Sequence, residues 1–153
     1  MSNTFRTVQW NIGGGNVRAN SASTEYDIDG LDAIIEKLEA VDPDLITLQE
    51  THTADGYSQA EIVSKALQLP YWVNDEYGES HINPAYRIGQ AIISRFPLAD
   101  TDFRLFLDSG YKAEWATRTH DKGVTSATVL VNDKVTVLAQ TLHAVPFRAF
   151  GVD

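Results

Sequence analysis

The sequence contains no cysteine, which excludes disulfide bonds, thiolate metal sites and cysteine nucleophiles. It is also poor in basic residues: 12 lysines and arginines stand against 21 aspartates and glutamates, which gives a net charge of −9. A negative overall field repels nucleic acid and anionic membranes. An anionic substrate would therefore have to be bound by a metal ion or by a small basic cluster.

Long apolar runs are absent as well. No stretch approaches the 18 consecutive apolar residues of a membrane-spanning helix, and the start MSNTFRTVQW lacks the basic and apolar regions of a secretory signal. We therefore expect no transmembrane segment and a cytoplasmic location. The 153 residues, of which 43% are hydrophobic, are enough for one domain with one core.

The first half of the sequence alternates strand and helix patterns. Period-2 alternation in TVQWNI predicts a strand, and apolar residues at i, i+3, i+4 and i+7 in DGLDAIIEKLEAV predict a helix. The apolar run DLITLQE predicts a buried strand that ends at Glu50. Ser58 and Glu61 have capping-box spacing and predict a second helix that ends near Pro70.

From residue 86 onward, short strand patterns are separated by turn residues. The segments are IGQAIIS, FRLFL, VTSATVLV and VTVLAQTLH, with a hairpin turn at 132–134 between the last two. The chain is predicted to be one α/β unit that ends in an antiparallel meander. Because QTLHAVPFRAFGVD follows the last strand without a closing helix, we expect the domain to be cut short.

The first candidate site residue is Glu50, which forms a polar pair with Gln49 at the end of an apolar strand. In open α/β sheets, ligands bind beyond the carboxyl ends of the strands, where a carboxylate can hold a hard cation such as Mg²⁺. The alternative is that Glu50 is simply the first solvated residue after the strand.

Asn11 takes the matching place on the first strand, directly before the three glycines of NIGGG. If the two strands are parallel neighbours, Asn11 and Glu50 lie at one edge of the sheet, where the amide can orient the carboxylate. A turn role for Asn11 is the alternative. The glycines lack the spacing of a P-loop or a G-x-G-x-x-G motif, so we interpret them as slack that lets the chain clear the rim of a site.

His143 lies in LAQTLHAVP, where another apolar strand leads into a turn. A histidine at such an edge can donate to a phosphoryl oxygen or act as a general acid, although a structural or solvated histidine is the alternative. The other histidines, His52, His81 and His120, lack metal-ligand spacing, which argues against a zinc site.

Arg95 lies in the turn of GQAIISRFP, next to Ser94. No G-x-S-x-G motif is present to suggest serine chemistry. Arg95 is either a surface ion-pair former or a phosphate contact.

The segments VQWNIGGG, DPDLITLQE, GQAIISRFPL and TLHAVP, in this order and at these spacings, resemble the endonuclease/exonuclease/phosphatase superfamily with the deoxyribonuclease-I-like fold. The resemblance covers nearly the whole chain. It implies the amino-terminal part of a four-layer α/β/β/α sandwich, in which a mixed sheet carries two helices on one face. Residues 1–153 would form a partial domain that lacks its carboxy-terminal half.

The resemblance also implies functional roles. Glu50 would bind Mg²⁺, with Mn²⁺ or Ca²⁺ as alternatives, Asn11 would lie at the metal site, and His143 would contact the scissile phosphate and serve as an acid. The implied reaction is in-line attack of an activated water on a phosphoester. Nucleic acid, a nucleotide and a sugar or lipid phosphate remain open as substrates.

Two departures from the family pattern shape our expectations. The G-D-x-N and Ser-Asp-His segments that complete the site in this superfamily do not occur in the 153 residues. We therefore expect the isolated chain to be inactive, to expose the inner face of its sheet, and to associate with itself or with a missing half. The rival hypothesis is a non-catalytic interaction or scaffold module that keeps the fold without the chemistry.

Overall fold

The computed structural model describes residues 4–18, 20, 22–23, 28–105 and 122–144. Within these residues the chain forms ten strands, two α-helices and one 3₁₀ turn. In chain order they are β1 (Thr7–Asn11), the 3₁₀ turn (Gly13–Gly15), β2 (Asn16–Val17), β3 (Ile28–Asp29), α1 (Leu31–Val41), β4 (Leu45–Ala54), β5 (Tyr57–Ser58), α2 (Gln59–Ala66), β6 (Tyr71–Glu79), β7 (Arg87–Ser94), β8 (Leu98–Leu105), β9 (Gly123–Asn132) and β10 (Val135–Leu142).

The main sheet has the strand order β1-β4-β7-β6, and β5 pairs with the end of β4. The β1 and β4 strands are parallel, whereas β4, β7 and β6 are antiparallel, so the predicted mixed sheet is confirmed. A second, antiparallel sheet has the order β10-β9-β8, and β2 pairs with β3. The predicted hairpin between β9 and β10 is present, with the Lys134 amide donating to Asn132 Oδ1 at 2.9 Å.

Both helices pack on one face of the main sheet, as expected from their apolar stripes. The α2 helix begins with the predicted cap, because the Ser58 hydroxyl accepts a hydrogen bond from the Glu61 amide. The core between helices and sheet consists mainly of aliphatic side chains: Ile12, Leu31, Ile34, Leu38, Ile46, Leu48, Ala60, Val63, Leu69, Ala91 and Ile93. Among the described residues, no helix is long and apolar enough to cross a membrane.

The second sheet packs on the other face of the main sheet, so helices, main sheet and second sheet form three layers. Leu45 and Ile92 meet Ala127, Val129 and Ala139 in this second core. The expectation that the main sheet would expose its inner face is therefore wrong, because β8, β9 and β10 already cover that face. On the second sheet, the exposed apolar side chains include Leu130, Leu138 and Leu142.

A buried glutamine joins the two sheets. The side-chain amide of Gln90, fully inaccessible on β7, donates to the carbonyls of Gly123 and Thr141 and to the Thr125 hydroxyl. Gln49 on β4 likewise donates to the Thr141 hydroxyl at 2.6 Å. These bonds fix β9 and β10 against the main sheet, and with them the residues at the strand ends.

The β4 strand does not end at Glu50, contrary to the sequence-based expectation, but continues to Ala54. Gln49 pairs with Gln90 and Thr51 with Gly89, so Glu50 is an unpaired residue in a β-bulge. Its φ of 56° is left-handed. Strand alternation would otherwise place Glu50 on the helix-facing side with Ile46 and Leu48. The bulge breaks that alternation at the position of the carboxylate.

Arg95 is an ion-pair former, at the end of the main sheet opposite to Glu50. Its guanidinium donates to Asp42 Oδ1 at 2.8 Å and to Asp44 Oδ1 at 3.0 Å. Arg6 donates to the other Asp42 oxygen at 2.9 Å. This exposed network joins the chain ahead of β1, the end of α1 and the turn after β7.

The Asp42 network is expected to stabilise the fold only above acidic pH. Hydrogen bonds from Arg95 and then Arg6 hold the pKa of Asp42 below its usual value. Because the folded-state pKa is the lower one, the stabilisation is complete above the unfolded-state pKa, about 4, and disappears as the pH falls through the folded-state value. In chemical unfolding, the stability advantage of the wild type over Asp42→Asn should therefore shrink below about pH 4.

Asp100→Asn is the matched control for this experiment, because Asp100 is also exposed and has a similar left-handed φ of 48°. A stability difference between wild type and Asp42→Asn that stays constant across this pH range would contradict the role assigned to the Asp42 charge.

Candidate functional site

Three side chains proposed from the sequence meet at one edge of the fold. Asn11 pairs with Gln49 in the parallel β1–β4 ladder, which brings it next to the bulge at Glu50. His143 directly follows β10, the strand that Gln49 and Gln90 bind to the main sheet. Its Nδ1 lies 3.1 Å from Glu50 Oε1, and its Nε2 lies 3.5 Å from Asn11 Nδ2.

His143 lies between Asn11 and Glu50, and this differs from the expected arrangement. Among the described residues, no hydrogen bond joins Asn11 directly to the carboxylate of Glu50. The Asn11 side-chain oxygen instead accepts from the Gly13 amide at 3.0 Å, as in a turn-forming asparagine. Asn11 therefore both shapes the turn and approaches the imidazole, and the carboxylate is held by His143.

Sequence reasoning missed Lys122, which precedes β9 and is only 4% exposed. Its ammonium lies 3.1 Å from His143 Nδ1 and 5.2 Å from the centre of the Tyr77 ring. A lysine is rarely buried to this extent unless an anion compensates its charge. Here the nearby carboxylate of Glu50 supplies a compensating charge.

The electrostatics of the cluster keep Glu50 ionised. Burial favours the neutral acid, but the hydrogen bond with His143 and the charges of His143, His81 and Lys122 outweigh it and lower the pKa of Glu50. For Lys122 the balance is reversed: burial lowers the pKa of the ammonium, and the charge of Glu50 opposes that effect only in part. The side chains around this buried carboxylate are thus basic, in a protein that is acidic overall.

His143 Nδ1 has two competing partners. When this nitrogen is protonated it can donate to Glu50, and when it is unprotonated it can accept from Lys122. A single ring nitrogen cannot do both. Which neighbour Nδ1 contacts therefore depends on which ring nitrogen carries the hydrogen.

Two further histidines border the cluster, and neither was predicted to do so. His81, on the loop between β6 and β7, has its Nε2 3.9 Å from Glu50 Oε1. His52 is buried, and its Nε2 lies 2.7 Å from the Ser80 hydroxyl. The same hydroxyl oxygen accepts hydrogen bonds from the backbone amides of Ile82 and Asn83. His52 therefore supports the loop that carries His81. The fourth histidine, His120, lies outside the described residues.

The three glycines form a tight turn in which Gly14 and Gly15 are buried, so their interpretation as slack is wrong. All three have left-handed φ values, from 55° to 77°. A Cβ atom on Gly14 would lie 2.2 Å from the ring of His52, and one on Gly15 would lie 2.6 Å from Gln59. The Gln59 side chain also donates to the Gly14 carbonyl and accepts from the His52 amide. The turn thus packs directly against the strand that carries Glu50.

Glu50 offers a carboxylate oxygen of the kind that a hard cation such as Mg²⁺ prefers. Mg²⁺ often uses only one or two protein carboxylates and completes its shell with water and substrate phosphate. Both histidine contacts of Glu50 are made through Oε1, and among the described residues Oε2 accepts no hydrogen bond. The described part of the chain contains no cluster of three or more acidic or histidine side chains suited to a metal. Glu50 would therefore be the protein ligand available from these residues.

Solved structures with a similar fold were found, whereas no curated protein sequence matches the chain. An endonuclease/exonuclease/phosphatase from Beutenbergia cavernae is 18% identical with a TM-score of 0.68, and 91% of this chain covers 38% of that one. A family protein from Leptotrichia buccalis is 14% identical with a TM-score of 0.65, at coverages of 93% and 55%. Sphingomyelinase C from Streptomyces griseocarneus is 17% identical with a TM-score of 0.58, at coverages of 94% and 50%.

At these sequence identities, the three structures show a shared fold. The chain spans 38% to 55% of the length of these structures. The membership of the chain follows from its own sequence. A model of the endonuclease/exonuclease/phosphatase family matches residues 8–148, and the chain therefore belongs to that family.

Proposed function

We propose that this chain carries the metal-binding and phosphate-binding part of a Mg²⁺-dependent phosphoester hydrolase. The observation that supports this most is the buried, ionised carboxylate of Glu50 with His143 and Lys122 around it. The family of the chain is named for enzymes that act on phosphoesters, in agreement with this proposal. Mn²⁺ or Ca²⁺ could replace Mg²⁺, because each is also bound by carboxylate oxygens.

Each residue of the cluster has a proposed task. Glu50 holds the metal ion, which when bound supplies positive charge to the phosphoryl oxygens and activates water. Lys122 donates to a phosphoryl oxygen as a compact positive charge. His143 donates to the phosphoryl group and holds the proton that a leaving oxygen needs. Asn11 Nδ2 orients the imidazole only while Nε2 is unprotonated, and it would give way to the phosphoryl oxygen once Nε2 carries the proton.

Small phosphoesters are the preferred substrates in this proposal. Long nucleic acid is bound through arrays of lysine and arginine, whereas this chain has a net charge of −9. Because the chain spans about half the length of its solved relatives, we further propose that it binds metal and phosphate but does not turn over substrate alone. We also propose a cytoplasmic location, and association of the chain with a second copy or with a complementary half.

The test is the Mg²⁺-dependent binding of methylphosphonate, a phosphate analogue that cannot be hydrolysed, measured by titration calorimetry. The wild type should bind it in the presence of Mg²⁺ and lose it when the metal is chelated. Lys122→Met should weaken binding at least about tenfold, since a hydrogen bond to a charged group contributes about 1.5 to 3 kcal/mol. Methionine keeps an apolar stem in contact with Tyr77.

Lys65→Met is the matched control, because Lys65 is an exposed lysine on α2 that pairs with Glu61 on its own helix. Absence of binding by the folded wild type would favour the rival function, a non-catalytic interaction module. Equal affinity of the wild type and Lys122→Met would remove Lys122 from the phosphate site.

A further inference from the structure

A cavity of about 760 Å³ opens beside Glu50. Asn11, Glu50 and His81 line it, so the cavity reaches the proposed metal and phosphate site. Its volume lies in the range of pockets that bind small molecules. Much of the remaining wall is apolar, and is formed by Trp10, Ile12, Val17, Ile34 and Ile82, while Gly13, Asn16 and Arg18 complete the lining.

The apolar wall is built into the fold. Trp10 belongs to β1 and packs against the helix-facing core, and Ile34 on α1 is only 3% exposed. Val17 is held in the short β2–β3 ladder and lies against Gly30, where an added Cβ atom would come within 2.4 Å of it. The Gly30 amide donates to the Gly15 carbonyl at 2.9 Å, which ties this wall to the glycine turn. The wall is therefore formed before any ligand binds.

We infer that this cavity binds the organic group of the substrate, and that this group is compact and predominantly apolar, such as an aryl ring. The inference rests on the proposed function, because it assumes that the phosphoryl group lies at Glu50 and Lys122. Apolar surface of the ligand would be removed from water against the wall, which favours binding. The hydroxyl groups of a sugar placed against the apolar side chains would lack hydrogen-bond partners, which disfavours such a ligand there.

The experiment compares phenylphosphonate with methylphosphonate in the presence of Mg²⁺. Both ligands carry the same phosphonate anion, and they differ in the phenyl ring. The ratio of their affinities in titration calorimetry therefore measures how much the cavity contributes to binding of the ring. We expect phenylphosphonate to bind at least about tenfold more tightly, from the area of one buried ring. Equal affinities would overturn this inference and leave the proposed function intact, whereas failure to bind either ligand would overturn both.

Val17→Phe fills the cavity and should remove the preference for the phenyl ligand while methylphosphonate binds as in the wild type. The matched control is Val135→Phe, the same substitution at an exposed strand position outside the cavity. Ile82→Phe is a second filling variant on the loop between β6 and β7, for use if Val17→Phe does not fold. A folded filling variant that keeps the full phenyl preference would overturn the inference.

Discussion

Glu50→Gln is expected to lower the Mg²⁺ affinity of the chain by at least about a hundredfold, because loss of even a supporting residue at a metal site costs about ten- to a hundredfold. The substitution keeps the size of the side chain and removes the charge that Mg²⁺ requires. It also leaves the ammonium of Lys122 without its nearby anion, so the variant should be less stable as well. Titration calorimetry with Mg²⁺, alongside thermal unfolding, separates the two effects.

Two further variants control this experiment. Glu39→Gln makes the same change on the exposed face of α1, away from the site, and should bind Mg²⁺ like the wild type. Glu50→Asp keeps the charge on a shorter side chain and should retain part of the affinity even if Glu50→Gln is poorly folded. Unchanged Mg²⁺ binding in a folded Glu50→Gln variant would exclude Glu50 as the metal ligand.

Gly14→Ala is expected to lower the free energy of unfolding by about 3 kcal/mol. A left-handed conformation costs a non-glycine residue about 1 to 2 kcal/mol, and forcing an extra carbon into a packed interior costs about 1 to 3 kcal/mol more. The new methyl group would meet the ring of His52, which is confined by its bond to Ser80 and by stacking on Tyr86. Denaturant unfolding monitored by circular dichroism measures the loss.

Gly13→Ala is the control, because Gly13 has a similar left-handed φ of 55° but no atom within 4 Å of an added Cβ. It should lose only about 1 kcal/mol, the conformational part of the cost. The difference between the two variants therefore measures the contact of the turn with His52. Equal losses would mean that this packing contributes nothing.

The architecture could be predicted from the sequence because its determinants are local or periodic. The apolar stripe of α1, the Ser58 cap of α2 and the continuous apolar run of β4 each act within a few residues. The parallel pairing of β1 and β4 follows from the strand–helix–strand order. The position of Asn11 close to Glu50 is a consequence of that pairing.

The composition of the site could be predicted only in part. Lys122 approaches His143 across 21 residues of sequence, and His81 approaches Glu50 across 31, so neither contact leaves a spacing pattern. The bulge at Glu50 was missed because glutamate has no preference for left-handed backbone. The need for glycine at position 14 depends on His52, which lies on β4 and packs against Gly14.

At the bulge, local backbone stability and the proposed metal binding place opposite demands on the residue at position 50. The left-handed φ of Glu50 is unfavourable for a residue with a side chain. The free-energy cost of this conformation is about 1 kcal/mol lower for glycine than for glutamate. A glycine at this position would therefore relax the backbone, but it would also remove the proposed metal ligand. An engineer who seeks a more heat-resistant form of this protein should therefore leave Glu50 unchanged and look for gains elsewhere.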